Sequence, residues 1–252
     1  MVISIPCDGI RLHATLDMPV TGTKKCPIVI IVHGFTGHSE ERHLTAVSKV
    51  LNSIGHATLR VDMYGHGQSE GSFHDHTLFK WLTCILAAVD CARSLDFVSG
   101  ITLMGHSQGG LAVILAGAMT RDLIRGIVPL SPACMIPEAA RKGEVLGTKV
   151  DPDHIPDELS VWGEWKLGGN YIRVAQTLNV EEAIDRYPGP VLIVQGDRDD
   201  PGLTASALNA AKRYRNCELA IIQGDTHCYD HHLDEMTEAV RKWFIRQDRS
   251  NG

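Results

Sequence analysis

Apolar and polar residues alternate in two segments near the start of the chain, residues 2–6 and 10–18, and a short polar stretch separates them. Strict alternation is typical of a strand with one buried face, and a tight turn between two such strands indicates an antiparallel hairpin. We therefore predict a hairpin at the edge of a sheet.

After this hairpin the pattern changes to short, continuous apolar runs, which favour strands that are buried on both faces. These runs cover residues 28–32, 57–61, 101–104, 124–130, 191–194 and 219–222. Helical periodicity fills intervals between and after them, at residues 43–54, 77–95, 108–119, 204–214 and 231–244. Because parallel neighbours need long crossover connections, this alternation predicts an α/β fold whose mostly parallel, eight-stranded sheet carries helices on both faces.

The alternation is interrupted for longest between residues 131 and 187, where proline and glycine recur. A segment of this length inside a compact α/β domain is more often functional than a linker. We expect residues 132–187 to form a lid, inserted after the sixth strand, over the functional face of a single domain that spans residues 1–252.

The composition changes this picture little, because 44% hydrophobic and 21% charged residues in a chain of 252 are usual for a globular protein. The length also suits one α/β domain. The chain has 24 lysines and arginines against 30 aspartates and glutamates, a formal net charge of −6 with no basic run. A nucleic-acid partner would need a basic surface, so we expect none.

The N-terminal residues lack a basic region followed by an apolar stretch, and no apolar run in the sequence is long enough to span a bilayer. We therefore expect no membrane partner and no classical export signal. The seven cysteines are scattered and form no Cys-x-x-Cys pair. Reduced thiols, and with them a cytoplasmic location, are the expectation that follows.

Candidate chemistry begins with GHSQGG at residues 105–110, which follows a predicted strand and opens a predicted helix. Gly-x-Ser-x-Gly in this position is typical of a nucleophile elbow, a turn so tight that side chains larger than glycine would clash around the serine. Ser107 is therefore the candidate nucleophile. The alternative interpretation is a plain glycine-rich turn between a strand and a helix.

A serine hydroxyl needs a base that takes its proton and an acid that orients the base. Of the thirteen histidines, His227 alone comes directly after the last predicted strand, and we predict it to be the base. Asp197, Asp199 and Asp200 follow the preceding strand, at the edge where open α/β sheets bind ligands. The pattern itself leaves the choice among these carboxylates open.

Four segments make the chain similar to α/β-hydrolase serine esterases and, among them, to the bacterial cinnamoyl and feruloyl esterases. They are HGFTG at 33–37, DMYGHGQS at 62–69, GHSQGG at 105–110 and GDTHCYD at 224–230. The resemblance covers nearly the whole chain. It implies that the acid lies three residues after the glycine that ends its strand, which selects Asp199 and leaves Asp197 as the next candidate. It also implies an oxyanion hole formed by the backbone amides of Phe35 and Gln108, the latter at a helix N-terminus.

The resemblance further implies a small-molecule phenolic substrate, such as a feruloyl, caffeoyl or p-coumaroyl ester. Trp162, Trp165 and Tyr171 in the predicted lid are candidates for binding the planar acid, and packing of the lid is the alternative role of each. A lipase-like or monoacylglycerol-type esterase and a non-catalytic ligand receptor are the alternative functions. The sequence leaves open whether the protein forms a homodimer.

Histidines also cluster at residues 74–76 and 231–232. We expect no metal site there, because no third and fourth ligand can be placed beside either cluster. The predicted mechanism also needs no cofactor. His33, His66 and His106 flank the motifs, and we interpret them as hydrogen-bonding residues that orient loops rather than as bases.

Overall fold

The computed structural model describes residues 1–20 and 24–251, the last of them by its backbone alone. Its strands are β1 (Val2–Cys7), β2 (Ile10–Asp17), β3 (Cys26–Val32), β4 (Ala57–Val61), β5 (Val98–His106), β6 (Gly126–Leu130), β7 (Glu144–Val145), β8 (Thr148–Lys149), β9 (Glu158–Val161), β10 (Trp165–Gly168), β11 (Val191–Gly196) and β12 (Cys217–Ile222). Its α-helices are α1 (Arg42–Ser53), α2 (Leu78–Arg93), α3 (Gln108–Thr120), α4 (Ile136–Arg141), α5 (Asn170–Thr177), α6 (Val180–Arg186), α7 (Pro201–Arg213) and α8 (Leu233–Asn251). A short 3₁₀ helix spans Phe73–Asp75.

The main sheet has eight strands in the order β1-β2-β4-β3-β5-β6-β11-β12. Strand β2 pairs in the antiparallel sense with β1 and with β4, and the pairings from β4 to β12 are parallel. The predicted fold class is thus confirmed, including the hairpin at one edge. Strand β5 lies inside the parallel part of the sheet, so its carboxyl end opens at the edge where such sheets bind ligands.

The central parallel strands are buried on both faces, as the continuous apolar runs predicted, but the prediction was wrong for residues 219–222, because β12 is an edge strand and its Leu219 is 41% exposed. Along β3, Ile28, Ile30 and Val32 face one apolar core, and Val29 and Ile31 face the other. All five side chains are inaccessible to solvent. Helices α2 and α3 pack in the first core and helices α1 and α8 in the second. This two-sided packing fixes β5, and with it the turn that follows.

Residues 132–187, the predicted lid, fold into helices α4, α5 and α6 and the two antiparallel hairpins β7–β8 and β9–β10. These hairpins form small sheets separate from the main one. Leu167, Tyr171 and Ile172 from this segment are fully buried in the same apolar core as α2 and α3. The segment is therefore packed onto the main sheet's helices. None of the described helices combines the length and the apolarity that a bilayer span requires.

Candidate active site

Ser107 is the single residue between β5 and α3, and its backbone has φ 56° and ψ −118°. Residues with a side chain disfavour this conformation, which is therefore strained. A Cβ atom on Gly105 would collide with the carbonyl of Gly109, and one on Gly109 would collide with the carbonyl of His33. The turn has the tight geometry of a nucleophile elbow, and its two glycines are required by contacts with backbone atoms.

Backbone hydrogen bonds hold Ser107 in this conformation. Its N–H donates to the carbonyl of Leu130 at 2.9 Å, and its own carbonyl accepts from the N–H of Leu111 at 3.1 Å and of Ala133 at 3.0 Å. The hydroxyl, in contrast, makes no hydrogen bond to any group in the described part of the chain, and Ser107 lines a cavity. The oxygen is thus presented to a ligand while the backbone stays fixed.

The loop after β12 brings His227 to the carboxylate of Asp199, which follows β11. The His227 Nδ1 donates to Asp199 Oδ2 at 2.7 Å, and only 2% of the Asp199 side chain is exposed. His227 lines the same cavity as Ser107. A histidine that donates from Nδ1 to a buried carboxylate keeps Nε2 available as a base, and this is the tautomer that serine activation needs.

The other two candidate carboxylates are occupied elsewhere. Asp197 Oδ1 accepts from the N–H of Gly224 at 2.6 Å and so ties the loops after β11 and β12 together. Asp200 is the N-cap of α7, where its Oδ1 accepts from the N–H of Gly202 at 2.8 Å. Of the three, the structure places Asp199 against His227.

Asp199 is surrounded by groups that favour its charged form. Burial alone would raise its pKa, but the hydrogen bond and positive charge of His227, together with donors from Gln195 and Asp200, outweigh burial and hold the pKa below its usual value. Gln195 Nε2 donates to Oδ2 at 2.9 Å, and the N–H of Asp200 donates to Oδ1 at 2.7 Å. The carboxylate therefore stays ionised at neutral pH and can stabilise a protonated His227.

Two further residues hold this pair in place, one that sequence reasoning missed and one that it predicted only to orient a loop. Gln195 is a fully buried amide near the end of the apolar strand β11. A polar side chain at the end of an apolar run needs a hydrogen-bond partner, and this could have identified Gln195 from the sequence. His106 Nε2 lies 2.9 Å from the carbonyl of His227, to which it donates. The prediction that His106 orients a loop did not extend to this contact, which joins residues 121 positions apart.

Ser107 and His227 share a cavity of about 660 Å³, a volume typical of small-molecule sites. Its wall also includes Phe35 and Gln108, and most of the remaining lining residues come from the predicted lid: Ala133, Met135, Ile136, Ala139, Glu144, Leu146, Gly147, Thr148, Lys149 and Trp162, with Asp200 and Leu203 from the start of α7. The β7–β8 hairpin was not predicted to reach the site, because its two-residue strands leave no periodic pattern.

The two predicted oxyanion donors lie beside Ser107. Gln108 begins α3, so its N–H has no partner within the helix. A Cβ on Gly34 would lie 3.3 Å from the Ser107 Cβ, which shows how closely the loop that carries Phe35 approaches the turn. The carbonyl of Phe35 lies 2.5 Å from His66 Nε2. His66 thus holds this loop, as its interpretation as a loop-orienting residue predicted.

The three aromatic candidates from the predicted lid occupy different environments. Trp162 lines the cavity, is 56% exposed, and packs edge-on against Phe35 with ring centroids 5.5 Å apart. Trp165 packs against Phe73, with centroids 4.6 Å apart, and is not in the cavity wall. Tyr171 is fully buried, and its hydroxyl donates to Gln108 Oε1 at 2.6 Å. The structure therefore brings only Trp162 to the cavity, because α5 directs Tyr171 inward, onto the side chain beside the nucleophile.

Replacing Tyr171 with phenylalanine is expected to lower the free energy of unfolding by about 1–3 kcal/mol, because it leaves the buried Gln108 Oε1 without a donor. The hydroxyl does not reach the cavity, so the ratio of kcat/KM values for phenolic and aliphatic esters should stay the same. Urea unfolding and an ester panel measure the two effects. A loss of preference for phenolic esters with unchanged stability would contradict the placement of Tyr171.

The histidine clusters that the sequence singles out have ordinary partners. His74 pairs with Asp75 at 2.7 Å, and His232 pairs with Glu235 at 3.2 Å. His76 is buried, which lowers its pKa to about 3 with a further contribution from His66, and its Nδ1 lies 2.6 Å from the carbonyl of Phe73. Within residues 1–20 and 24–251, neither cluster gathers three ligand atoms.

Comparison with known proteins identifies a family whose model matches this chain. The model of the family described as Hydrolase_4, serine aminopeptidase S33, matches residues 23–161, more than half of the chain. The matched range contains Phe35, Ser107 and Gln108 and ends before Asp199 and His227.

Individual relatives extend the match over the remaining residues. Human monoglyceride lipase is 27% identical over 266 residues, covering 94% of this chain and 86% of that protein. Human palmitoyl-protein thioesterase ABHD10, a mitochondrial protein, is 25% identical over 162 residues, so the match covers 62% of this chain but about half of the thioesterase, 48%. The structure of Est1E from Butyrivibrio proteoclasticus with bound ferulic acid has 60% sequence identity and a TM-score of 0.96, and the match covers 98% of this chain and 99% of that one.

Proposed function

The chain belongs to the serine aminopeptidase S33 family of α/β-hydrolases, and we propose that it is a serine carboxylesterase that cleaves esters of hydroxycinnamic acids. The observation that carries the proposal is one cavity lined by an elbow serine and by a histidine whose Nδ1 donates to a buried carboxylate. Activated serine nucleophiles of this kind catalyse acyl transfer.

In the first step, His227 takes the proton of Ser107 as the hydroxyl oxygen attacks the ester carbonyl. Asp199 holds the imidazole in the required tautomer and stabilises the positive charge that it acquires. The negative charge that develops on the carbonyl oxygen is bound by the amides of Phe35 and Gln108, and one such donor is typically worth about 3–4 kcal/mol in the transition state. His227 then protonates the departing alcohol.

In the second step, water attacks the acyl-serine. His227 takes a proton from the water, the same two amides bind the oxyanion, and the proton returns to Ser107 as the carboxylic acid leaves. Each proton that His227 accepts is returned within the same half-reaction. The protein's own groups therefore suffice for both half-reactions.

An aromatic acid is favoured by the ring surfaces at the cavity and by one relative. Phe35 and Trp162 present an edge-on aromatic pair next to the nucleophile, and planar rings add to such pairs by stacking or edge contacts. Est1E, whose structure holds ferulic acid, shares 60% of its residues with this chain. We propose that a phenolic acyl group lies between Trp162 and the β7–β8 hairpin.

Hydrolysis of aliphatic esters is the second candidate function. The relative that favours it is human monoglyceride lipase, which matches 94% of this chain. The cavity is consistent with such a substrate as well, because Met135, Ile136, Leu146 and Leu203 would pack against an acyl chain.

The deciding experiment compares kcat/KM for methyl ferulate, a caffeoyl ester, p-nitrophenyl esters of increasing chain length, a monoacylglycerol and an aminoacyl anilide. A preference for the two hydroxycinnamates is expected. Higher kcat/KM for the longer aliphatic esters or the monoacylglycerol would contradict the proposed preference for hydroxycinnamates but would still support an esterase. Turnover of the anilide alone would replace the esterase proposal with a peptidase.

Replacing Trp162 with alanine is expected to lower kcat/KM for methyl ferulate roughly 2- to 10-fold, mainly through KM, since an aromatic contact is worth about 0.5–1.5 kcal/mol. Hydrolysis of p-nitrophenyl acetate, whose acyl group carries no ring, should change little. Trp165→Ala is the matched control, because Trp165 lies in the same segment but outside the cavity wall. Equal effects of both substitutions on ferulate would argue against a contact between Trp162 and the substrate.

A further inference from the structure

Behind the histidine of the candidate site lies a second group of polar side chains, which the proposed esterase mechanism does not use. Glu41 directly precedes α1, His43 is in the first turn of that helix, and His106 ends β5. Glu41 Oε2, His43 Nε2 and His106 Nδ1 all lie within 4.8 Å of one another. We refer to these three residues as the rear cluster.

Each of these three atoms is buried and has no hydrogen-bond partner among residues 1–20 and 24–251. The nearest approach between the acid and a ring, 4.0 Å from His43 Nε2 to Glu41 Oε2, is longer than a hydrogen bond. His43 and His106 are each only 3% exposed. Buried polar atoms in native proteins are nearly always hydrogen-bonded or bound to a ligand, so three that converge on one point indicate a binding site that all three serve.

The donor set narrows the class of ligand. Both imidazoles are almost completely buried, which favours their neutral form, and a neutral imidazole offers one lone pair. Two neutral imidazoles and one carboxylate are the ligands that zinc and neighbouring first-row transition metals prefer, whereas magnesium and calcium favour oxygen alone.

The other nitrogen of His106 supplies an independent observation. Its Nε2 lies 2.9 Å from the carbonyl of His227, which can only accept, so Nε2 carries the proton and Nδ1 carries the lone pair. Metal-binding histidines almost always donate their second nitrogen to a carbonyl or carboxylate in this way. The tautomer and orientation of a ligand are thus already set at His106.

We propose that the rear cluster binds a divalent first-row transition metal of the zinc type through Glu41, His43 and His106. The metal would complete the bonding of three buried atoms and would be linked to the candidate site through His106 and the backbone of His227. The rings of His106 and His227 also pack at a centroid distance of 4.7 Å. The rear cluster therefore directly adjoins the residue that acts as the base in the proposed esterase.

The test uses Co²⁺ as a spectroscopic probe, added to protein that has been dialysed against a chelator. We expect one equivalent of Co²⁺ to bind with the visible absorption bands of a nitrogen- and oxygen-coordinated ion, and Zn²⁺ to displace it. Zn²⁺ at about 100 times its Kd should raise Tm by about 5–11 °C, since ligands that bind the folded state stabilise it. Mg²⁺ at the same concentration should have no effect.

Two ligand variants and one surface variant locate the site. His43→Gln and Glu41→Gln should each weaken Co²⁺ binding at least 10-fold. Loss of a residue that only supports a metal ligand already lowers affinity by about 10- to 100-fold, so loss of a ligand should cost no less. The double variant His231→Gln, His232→Gln removes the exposed histidine pair and should bind Co²⁺ as the unchanged protein does. Because Glu41 lies outside the core, its variant remains informative if His43→Gln does not fold, which near-ultraviolet circular dichroism of the metal-free variants checks.

The proposal is overturned by the absence of Co²⁺ binding, by binding that persists in Glu41→Gln, or by binding that is lost in the surface variant. These measurements require no turnover. Failure of the esterase proposal would leave them unchanged.

Discussion

Replacing Ser107 with alanine is expected to lower kcat/KM for every ester substrate by about 10⁴- to 10⁶-fold, the range found when a serine nucleophile of this kind is removed. The substitution removes the attacking oxygen and leaves the binding cavity and the two oxyanion amides in place. A residual rate above that in water is therefore expected from the amides and from substrate binding. Initial rates with methyl ferulate and p-nitrophenyl acetate measure the loss.

A covalent probe separates chemistry from folding in this experiment. A fluorophosphonate should label the unchanged protein at Ser107 and should not label Ser107→Ala. Ser206→Ala is the matched control, because Ser206 lies on α7 outside the cavity wall and its hydroxyl donates to the carbonyl of Leu203. If Ser107→Ala kept more than about a tenth of the activity, the nucleophile would be a different residue, since such a loss corresponds to only about 1.4 kcal/mol.

Replacing Asp199 with asparagine is expected to lower kcat by about 10⁴-fold, because the amide NH₂ that takes the place of Oδ2 donates to Nδ1 and so holds the imidazole in the wrong tautomer. Asp199 Oδ2 lies 2.7 Å from His227 Nδ1, and the carboxylate is almost completely buried, so solvent cannot substitute for the lost interaction. KM should change far less than kcat, since Asp199 does not line the cavity. Steady-state kinetics at neutral pH separate the two parameters.

Asp197→Asn is the matched control for this change. Its Oδ1 accepts from Gly224 N–H, and an asparagine keeps an oxygen that can accept the same bond, so activity should fall less than 10-fold. The resemblance to known esterases selected Asp199 and left Asp197 next, and the pair of variants decides between them. A larger loss in Asp197→Asn than in Asp199→Asn would reverse the assignment of the acid.

The fold was predictable from the sequence because hydrophobic periodicity reports burial directly. The continuous apolar runs at β3 and β4 became strands that are buried on both faces. The ends of helices were harder to predict. The apolar pattern predicts a helix that ends at residue 244, whereas α8 continues to residue 251. The final turns are mostly polar and solvated, so apolar periodicity does not mark them. Helix α7 begins at Pro201, earlier than predicted, since Asp200 caps it and proline suits the first helical position.

The candidate site was predictable only where local sequence determines geometry. Gly105 and Gly109 mark the turn at Ser107, and the ends of β11 and β12 place Asp199 and His227 at one edge of the sheet. The contacts of residues 132–187 have no such local rule. Whether Tyr171 or Trp162 faces the cavity depends on how α5 and the short hairpins pack, and this is a property of tertiary structure. The rear cluster could not be predicted for the same reason, because it joins the start of α1 to the end of β5, which are far apart in the sequence.

The strained backbone at Ser107 also has an evolutionary consequence. A positive φ at a residue with a side chain costs on the order of 1–3 kcal/mol, and glycine would adopt the same turn without that cost. In the proposed esterase, catalysis is the reason to keep a serine where a glycine would give a more stable protein. In a descendant that retained ligand binding but lost its enzymatic role, Ser107 would be among the first residues expected to change. Its replacement by glycine would then be favoured by stability rather than merely tolerated.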